Sequence, residues 1–445
     1  MDIVKGICTD ISSEGKGVVK INKDIIFCDG LFIGEEALIS ILYSRAGVYY
    51  GKVKALLKSS PDRIQPRCKI CTSCGGCQYQ QVNYKTQLEY KTNRVRNALK
   101  HIASISYNVE PCIGMDNPYN YRNKIQIPFK KDKKGKIVFG CYKENSHEII
   151  PIKECAIEDK RAAPILWDIK LLLEEMKIPV YDEDSRRGIL RHVIVRTSYH
   201  YDELMVVLVT SQMNFPGQNN FIKALINKHP EITTIMENIN SRKTNVILGD
   251  KEIVLYGKGF IMDSIRNFKF EISASSFYQI NPVQVEKLYG IVYDAIDDNK
   301  NQIILDAYAG VGTIGMICAS KAKCVYSVEL NKNASKNAIF NAKLNQITNM
   351  KFACDDACQY ISHFEGDLDV VIMDPPRAGS SETFLQVLID KRVKQIIYVS
   401  CNPETLSRDL KYLSAFYKID FVKTVDMFPM TNHVETIIGL CLKKK

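Results

Sequence analysis

The strongest constraint on this chain is the alternation of buried-type strand patterns with helical stretches from residue 267 to residue 445. Strands joined through helices lie parallel in one sheet and are covered by those helices. In such a sheet the carboxyl ends of the strands line the ligand crevice. Three segments reach that edge carrying polar residues. Gln302-Ile303-Ile304-Leu305-Asp306 enters the turn Ala307-Tyr308-Ala309-Gly310-Val311-Gly312-Thr313-Ile314-Gly315, residues 368–373 enter Asp374-Pro375-Pro376-Arg377, and residues 395–400 enter Cys401-Asn402-Pro403. A candidate site therefore lies on this edge.

The first turn has Gly-x-Gly-x-x-Gly spacing at Gly310, Gly312 and Gly315, which lets a ligand approach the backbone closely. The next strand ends in Glu329, 23 residues after Asp306, where an acid can accept both ribose hydroxyls of an adenosine cofactor. The carboxylate of Asp306 would repel a pyrophosphate but suits a cofactor bearing an amino group and a sulfonium. These residues point to S-adenosylmethionine rather than a dinucleotide.

Upstream, residues 1–58 alternate short β-type runs with glycine turns and read as a small β-barrel, ended by a linker at Ser59-Ser60-Pro61-Asp62-Arg63. Residues 59–266 read as a central α+β domain, with a helix near residues 84–99 and an arginine-flanked strand over residues 188–196; residues 267–445 form the third domain. The net charge of +10 gains meaning where it clusters: seven Lys or Arg between Arg122 and Lys136 sit among Tyr119, Tyr121 and Phe129. Cations for phosphates interleaved with rings for bases suit single-stranded RNA, and a solvated hairpin turning at Lys133-Lys134-Gly135 fits the stretch equally well. The N-terminal residues lack the apolar core of a signal peptide, and no apolar run is long enough to span a bilayer, so a cytoplasmic protein is expected. There, fifteen cysteines read as ligands, nucleophiles or buried thiols; Cys8, Cys28, Cys112, Cys318 and Cys441 are isolated and expected to be packing residues. Cys68, Cys71, Cys74 and Cys77 fall within ten residues, which is a metal signal; at this spacing they could bind zinc or follow a ferredoxin-like run.

Five ordered motifs resemble the RNA 5-methyluridine methyltransferases, in particular the branch that modifies 23S ribosomal RNA: Phe277-Tyr278-Gln279-Ile280-Asn281, residues 306–312, Asp374-Pro375-Pro376-Arg377, Ser400-Cys401-Asn402-Pro403 and His433-Val434-Glu435-Thr436. The resemblance spans nearly the whole chain. It implies an α/β fold with a class I, Rossmann-like methyltransferase domain at the C-terminus, an N-terminal TRAM or OB-like RNA-binding barrel, and a central domain carrying a 4Fe-4S cluster. It further implies Cys401 as nucleophile, Glu435 as base, and Gln279, Tyr308, Glu329 and Asp374 around the cofactor and target base, with Asp356 near the adenine. The family spacing C-x5-C-x2-C plus a distant cysteine selects Cys68, Cys74, Cys77 and Cys155 and leaves Cys71 spare. Ala309 and Ala378 depart from the family pattern, where cysteine and lysine are common.

The chemistry fits this kit. Carbon 5 of uracil is a poor nucleophile until a thiolate adds to carbon 6, and a base must then remove the carbon 5 proton before the thiol leaves. Position alone leaves His433 as a rival to Glu435. A monomer acting on 23S ribosomal RNA is expected, the alternatives being a transfer RNA methyltransferase or a non-catalytic redox-sensing RNA-binding protein. Arg377 stands where amino-group methyltransferases carry an aromatic residue, which counts against that activity.

Overall fold

A computed structural model describes residues 3–143 and 146–444. Strands Ile3–Ile11, Gly17–Ile21, Asp24–Asp29, Glu36–Arg45 and Val48–Lys58 close into a barrel, the first pairing antiparallel with the fourth. Its interior is small and apolar, built from Cys8, Val19, Ile26, Cys28, Leu31, Ala37 and Ile39. Gly17 is required there, because a Cβ would lie 2.4 Å from the Leu31 carbonyl oxygen. The segment after the barrel is not a loose linker. Fully buried Glu35 accepts from Arg63 Nε (2.6 Å), Arg63 Nη2 (2.7 Å), Ser60 N (3.2 Å) and Phe32 N (2.9 Å), which pins that segment to the barrel.

The central sheet has seven strands in the order Lys251–Gly257, Ile232–Ile239, Leu204–Thr210, Leu190–Thr197, Lys124–Lys131, Ile137–Tyr142, Ile149–Pro151. Helices Ala162–Glu175 and Gln218–Lys228 cover one face. The other face contributes Ile194, Met205, Val207 and Val209 to a core shared with the C-terminal sheet. Leu204–Thr210 is accordingly buried at every position, as a continuous apolar run with both faces covered should be. Arg191 and Arg196, near the ends of the neighbouring strand, are buried: Arg191 pairs with Glu183, and Arg196 Nη2 donates to the Ser276 carbonyl (2.5 Å).

The C-terminal sheet runs Met350–Ala353, Cys324–Val328, Ile303–Ala307, Val370–Met373, Gln395–Ser400, Glu435–Leu442, Tyr417–Val425. The first five are parallel and the last two antiparallel to their neighbours. Strands ending before Tyr308, Asp374 and Cys401 are adjacent, so their carboxyl ends form one edge. Glu435–Leu442 runs the other way beside Gln395–Ser400, with Thr436 opposite Ser400, and so begins at that same edge. Helix Tyr84–His101 packs Val95 and Leu99 into the core beneath these strands. Among the described residues no helix is long and apolar enough to cross a membrane.

Candidate active site

Cys401 follows the last parallel strand and is half-buried. Its turn is fixed locally: Asn402 N donates to Ser400 Oγ (3.1 Å), and Asn402 Oδ1 caps helix Pro403–Leu413 through Glu404 N (3.1 Å). Asn402 Nδ2 and Thr405 Oγ1 both donate to the Arg377 carbonyl (3.1 and 3.2 Å), which stitches the Asp374–Arg377 turn to the cysteine turn.

The electrostatics join four of the expected residues. Burial pushes the Cys401 thiol up to about 11, with Glu435 and Asp374 raising it and Arg377 lowering it. Glu435 is buried, and burial with Asp374 beside it lifts its carboxyl to about 8 against the pull of Arg377. Burial alone raises Asp374 to about 7. His433 is driven down to about 4 by burial and by Arg377, Arg94 and Lys91. One edge thus holds a thiol, two carboxyls that favour their protonated forms, and a neutral imidazole.

On the cofactor side Tyr308, Gly310 and Gly312 have φ of 61°, 57° and 76°, a left-handed turn that is costly at a tyrosine. A side chain at Gly310 would meet only open space. Glu329 accepts from Gly310 N (2.9 Å) and Asn331 N (2.7 Å), fixing this turn against the second strand. Tyr308 Oη lies 3.4 Å from Ser380 Oγ, and its ring meets Phe384 edge-on. Gln279 reaches the Tyr289 hydroxyl, itself 3.2 Å from Thr313 Oγ1. Two acids make local backbone contacts. Buried Asp306 accepts from Gly315 N (2.9 Å) and so shapes the glycine turn from beneath. Asp356 caps helix Ala357–Ser362, accepting from Cys358 N (2.9 Å) and Gln359 N (3.0 Å), while still bearing electrostatically on Tyr308.

The cysteine segment lies beside the loop that leads to Glu435: Cys77 and Cys155 pack with Met430, and Tyr79 N donates to the Met430 carbonyl (2.9 Å). Burial, with Cys74, Cys68 and Cys71 nearby, raises the Cys77 thiol to about 12. Cys155 feels Cys77 in turn and packs beside it. A hydrogen bond with Cys141 pulls the Cys74 thiol down. Cys141 is a neighbour that sequence reasoning missed, since nothing local to its strand links it to the cluster. Among the described residues, no three His, Cys, Asp or Glu side chains converge closely enough to hold a metal ion.

The basic hairpin is partly neutralised. Lys130 pairs with Asp182 and Asp184 (3.1 Å each) beside an open groove of about 590 Å³ that Lys131, Lys133, Lys134 and His147 also line. Tyr121 and Phe129, expected as stacking rings, are buried, and Phe129 stacks on Phe139. Tyr119 is covered by the Arg67 guanidinium 3.9 Å from its ring centre.

Comparison with known proteins gives a consistent result. Residues 83–445 match the family model described as tRNA (uracil-5-)-methyltransferase. An uncharacterized RNA methyltransferase of Clostridium tetani is 41% identical over 434 residues, covering 97% of this chain and 94% of that one. Another from Staphylococcus aureus strain MRSA252 is 39% identical, covering 99% and 98%. The crystal structure of Pyrococcus abyssi tRNA (uracil-54, C5)-methyltransferase in complex with S-adenosyl-L-homocysteine superposes with a TM-score of 0.79 at 29% identity, covering 98% of this chain and all of that one.

Proposed function

Since the chain belongs to the tRNA (uracil-5-)-methyltransferase family and is an S-adenosylmethionine-dependent RNA methyltransferase of the uracil-C5 type, we propose that Cys401 and Glu435 carry its chemistry on a uridine of 23S ribosomal RNA. The carrying observation is the antiparallel last strand, which starts Glu435 at the edge where Cys401 emerges. Cys401 gives up its proton to solvent and the thiolate adds to carbon 6: its electron pair forms the sulfur–carbon bond, while the carbon 5–carbon 6 π pair shifts to make the enolate of the carbon 4 oxygen. Carbon 5 takes the methyl group as the sulfonium carbon–sulfur bond breaks. Glu435 then accepts the carbon 5 proton, the ring double bond re-forms, and the thiolate departs. Burial favours the protonated form of both groups. Arg377 favours their charged forms, and a bound sulfonium cation acts in the same sense. Gln279, Tyr308, Glu329, Asp356 and Asp374 are proposed to line the cofactor and base pocket; the open space over Gly310 supports the cofactor's place.

The ribosomal substrate rests on the resemblance of the cysteine spacing and motifs to that branch. A second reading, a transfer RNA substrate, is favoured by the whole-length likeness to the Pyrococcus abyssi enzyme. Mapping 5-methyluridine in ribosomal and transfer RNA from cells with and without the protein decides between them. Loss confined to ribosomal RNA supports the first reading, and loss confined to transfer RNA the second. The barrel and the groove beside Lys131, Lys133 and Lys134 are proposed to bind the RNA backbone.

Cys68, Cys74, Cys77 and Cys155 are proposed to hold a 4Fe-4S cluster, with Cys71 spare. An all-thiol donor set suits iron–sulfur, and Cys77, which packs beside Cys155 and feels Cys68 and Cys74, links the four. Anaerobically purified protein should contain about four irons with sulfide; one zinc and neither iron nor sulfide would contradict this.

A further inference from the structure

Helix Tyr84–His101 carries Tyr84, Gln87, Lys91 and Arg94 at three- and four-residue spacing, which is one helix face. All four side chains end on the loop 426–432 that delivers Glu435 into the site. Tyr84 Oη donates to Asp426 Oδ2 (2.8 Å), and Met430 N donates to Gln87 Oε1 (3.2 Å). Lys91 Nζ pairs with Asp426 and donates to the Phe428 carbonyl (3.0 Å), while Arg94 Nη1 donates to the Asn432 carbonyl (2.9 Å). Other loop carbonyls are also held from outside: Asp426 O by Gln284 (3.0 Å), Met427 O by Asn281 (3.0 Å), Pro429 O by Tyr121 (3.1 Å) and Met430 O by Tyr79 N (2.9 Å).

Within this set the Lys91–Asp426 pair stands apart, because both side chains are fully buried. Removing a lysine ammonium and a carboxylate from water is costly, so the pair adds little net stability, and in some proteins such a buried pair serves to fix one arrangement. Lys91 also grips the loop twice, at the Asp426 side chain and at the carbonyl two residues on. We propose that Lys91, acting through Asp426, is a positioning residue for Glu435: it sets the loop so that the carboxylate meets the carbon 5 proton. The inference rests on the reading of Glu435 as the base.

Lys91→Met leaves Asp426 buried without its partner, so the double variant Lys91→Met/Asp426→Asn, which removes both charges at similar volume, is the main test. Formation of the covalent adduct between enzyme and methylated RNA, and its resolution, are followed in single turnover. KM for S-adenosylmethionine and hydrogen exchange at the Met430 and Asn432 amides are measured alongside. The expected result is resolution slowed by up to about a hundredfold, the effect of misplacing a group by an ångström. Adduct formation and KM should change far less, and the two amides should lose protection. Formation and resolution falling together, as a smaller folded fraction would cause, overturns the proposal. So does wild-type resolution with unchanged exchange. Glu435→Gln is run in parallel: if it resolves the adduct at the wild-type rate, the base assignment fails, and the hold on the loop is then judged by the exchange data alone.

Discussion

At the scale of single residues the chemistry turns on which group takes the carbon 5 proton. Glu435, held up near 8, is mostly protonated at neutral pH, whereas His433, held down near 4, is already neutral there. If Glu435 is the base, adduct resolution in single turnover should rise about tenfold per pH unit below 8 and level off above it. A rate that is flat across that range would transfer the role to His433 or water. Gly315→Ala gives a second residue-scale prediction. Glycine-to-alanine in a helix usually stabilises, but here the added Cβ would lie 2.7 Å from Asp306 Oδ2. A loss of about 1–3 kcal/mol is expected by denaturant unfolding; an unchanged or higher stability would mean that the turn yields easily. Asp306 also shows how far single residues were legible. Its strand-end position was plain, but its engagement by the Gly315 amide depends on how the glycine turn folds back, which spacing does not reveal.

At the scale of elements, apolar patterning identified the barrel strands, which bury one face in one core, and the parallel sheet, whose strands bury both faces in two cores. The basic hairpin was legible as a charge cluster but not as an interface. Its rings were consumed by packing, and Lys130 by two aspartates that follow far along the chain. Replacing Lys131, Lys133 and Lys134 by alanine should therefore flatten the salt dependence of RNA binding by up to about one logarithmic unit of slope per lysine lost from a phosphate. Lys130→Ala should leave the slope nearly unchanged. Equal effects from Lys130 and Lys131 in a filter-binding titration would count against this division. Helix Tyr84–His101 was recognised as a helix, yet its polar stripe gave no signal. Buried polar faces look like solvent faces until their partners, here more than three hundred residues away, are known.

At the scale of the whole molecule, one loop joins three parts of the fold. Asn432 Nδ2 donates to the Ser13 carbonyl of the barrel (2.7 Å), and its amide donates to Gln78 beside the cysteine segment (3.3 Å). Thr436, four residues on, pairs with Ser400 at the end of the strand that runs into Cys401. The sequence motifs marked the proposed site because its residues sit at strand ends, while this junction is built from contacts between distant segments and had no local signature. The central claim is that Cys401 and Glu435 act at successive steps on one uridine, and denaturing electrophoresis of the enzyme with labelled RNA and S-adenosylmethionine tests it most directly. Glu435→Gln should accumulate a band in which methylated RNA is covalently attached to the protein, and adding Cys401→Ala to that variant should abolish both the band and methyl transfer. Normal turnover by Glu435→Gln, or persisting activity in Cys401→Ala, would contradict the account.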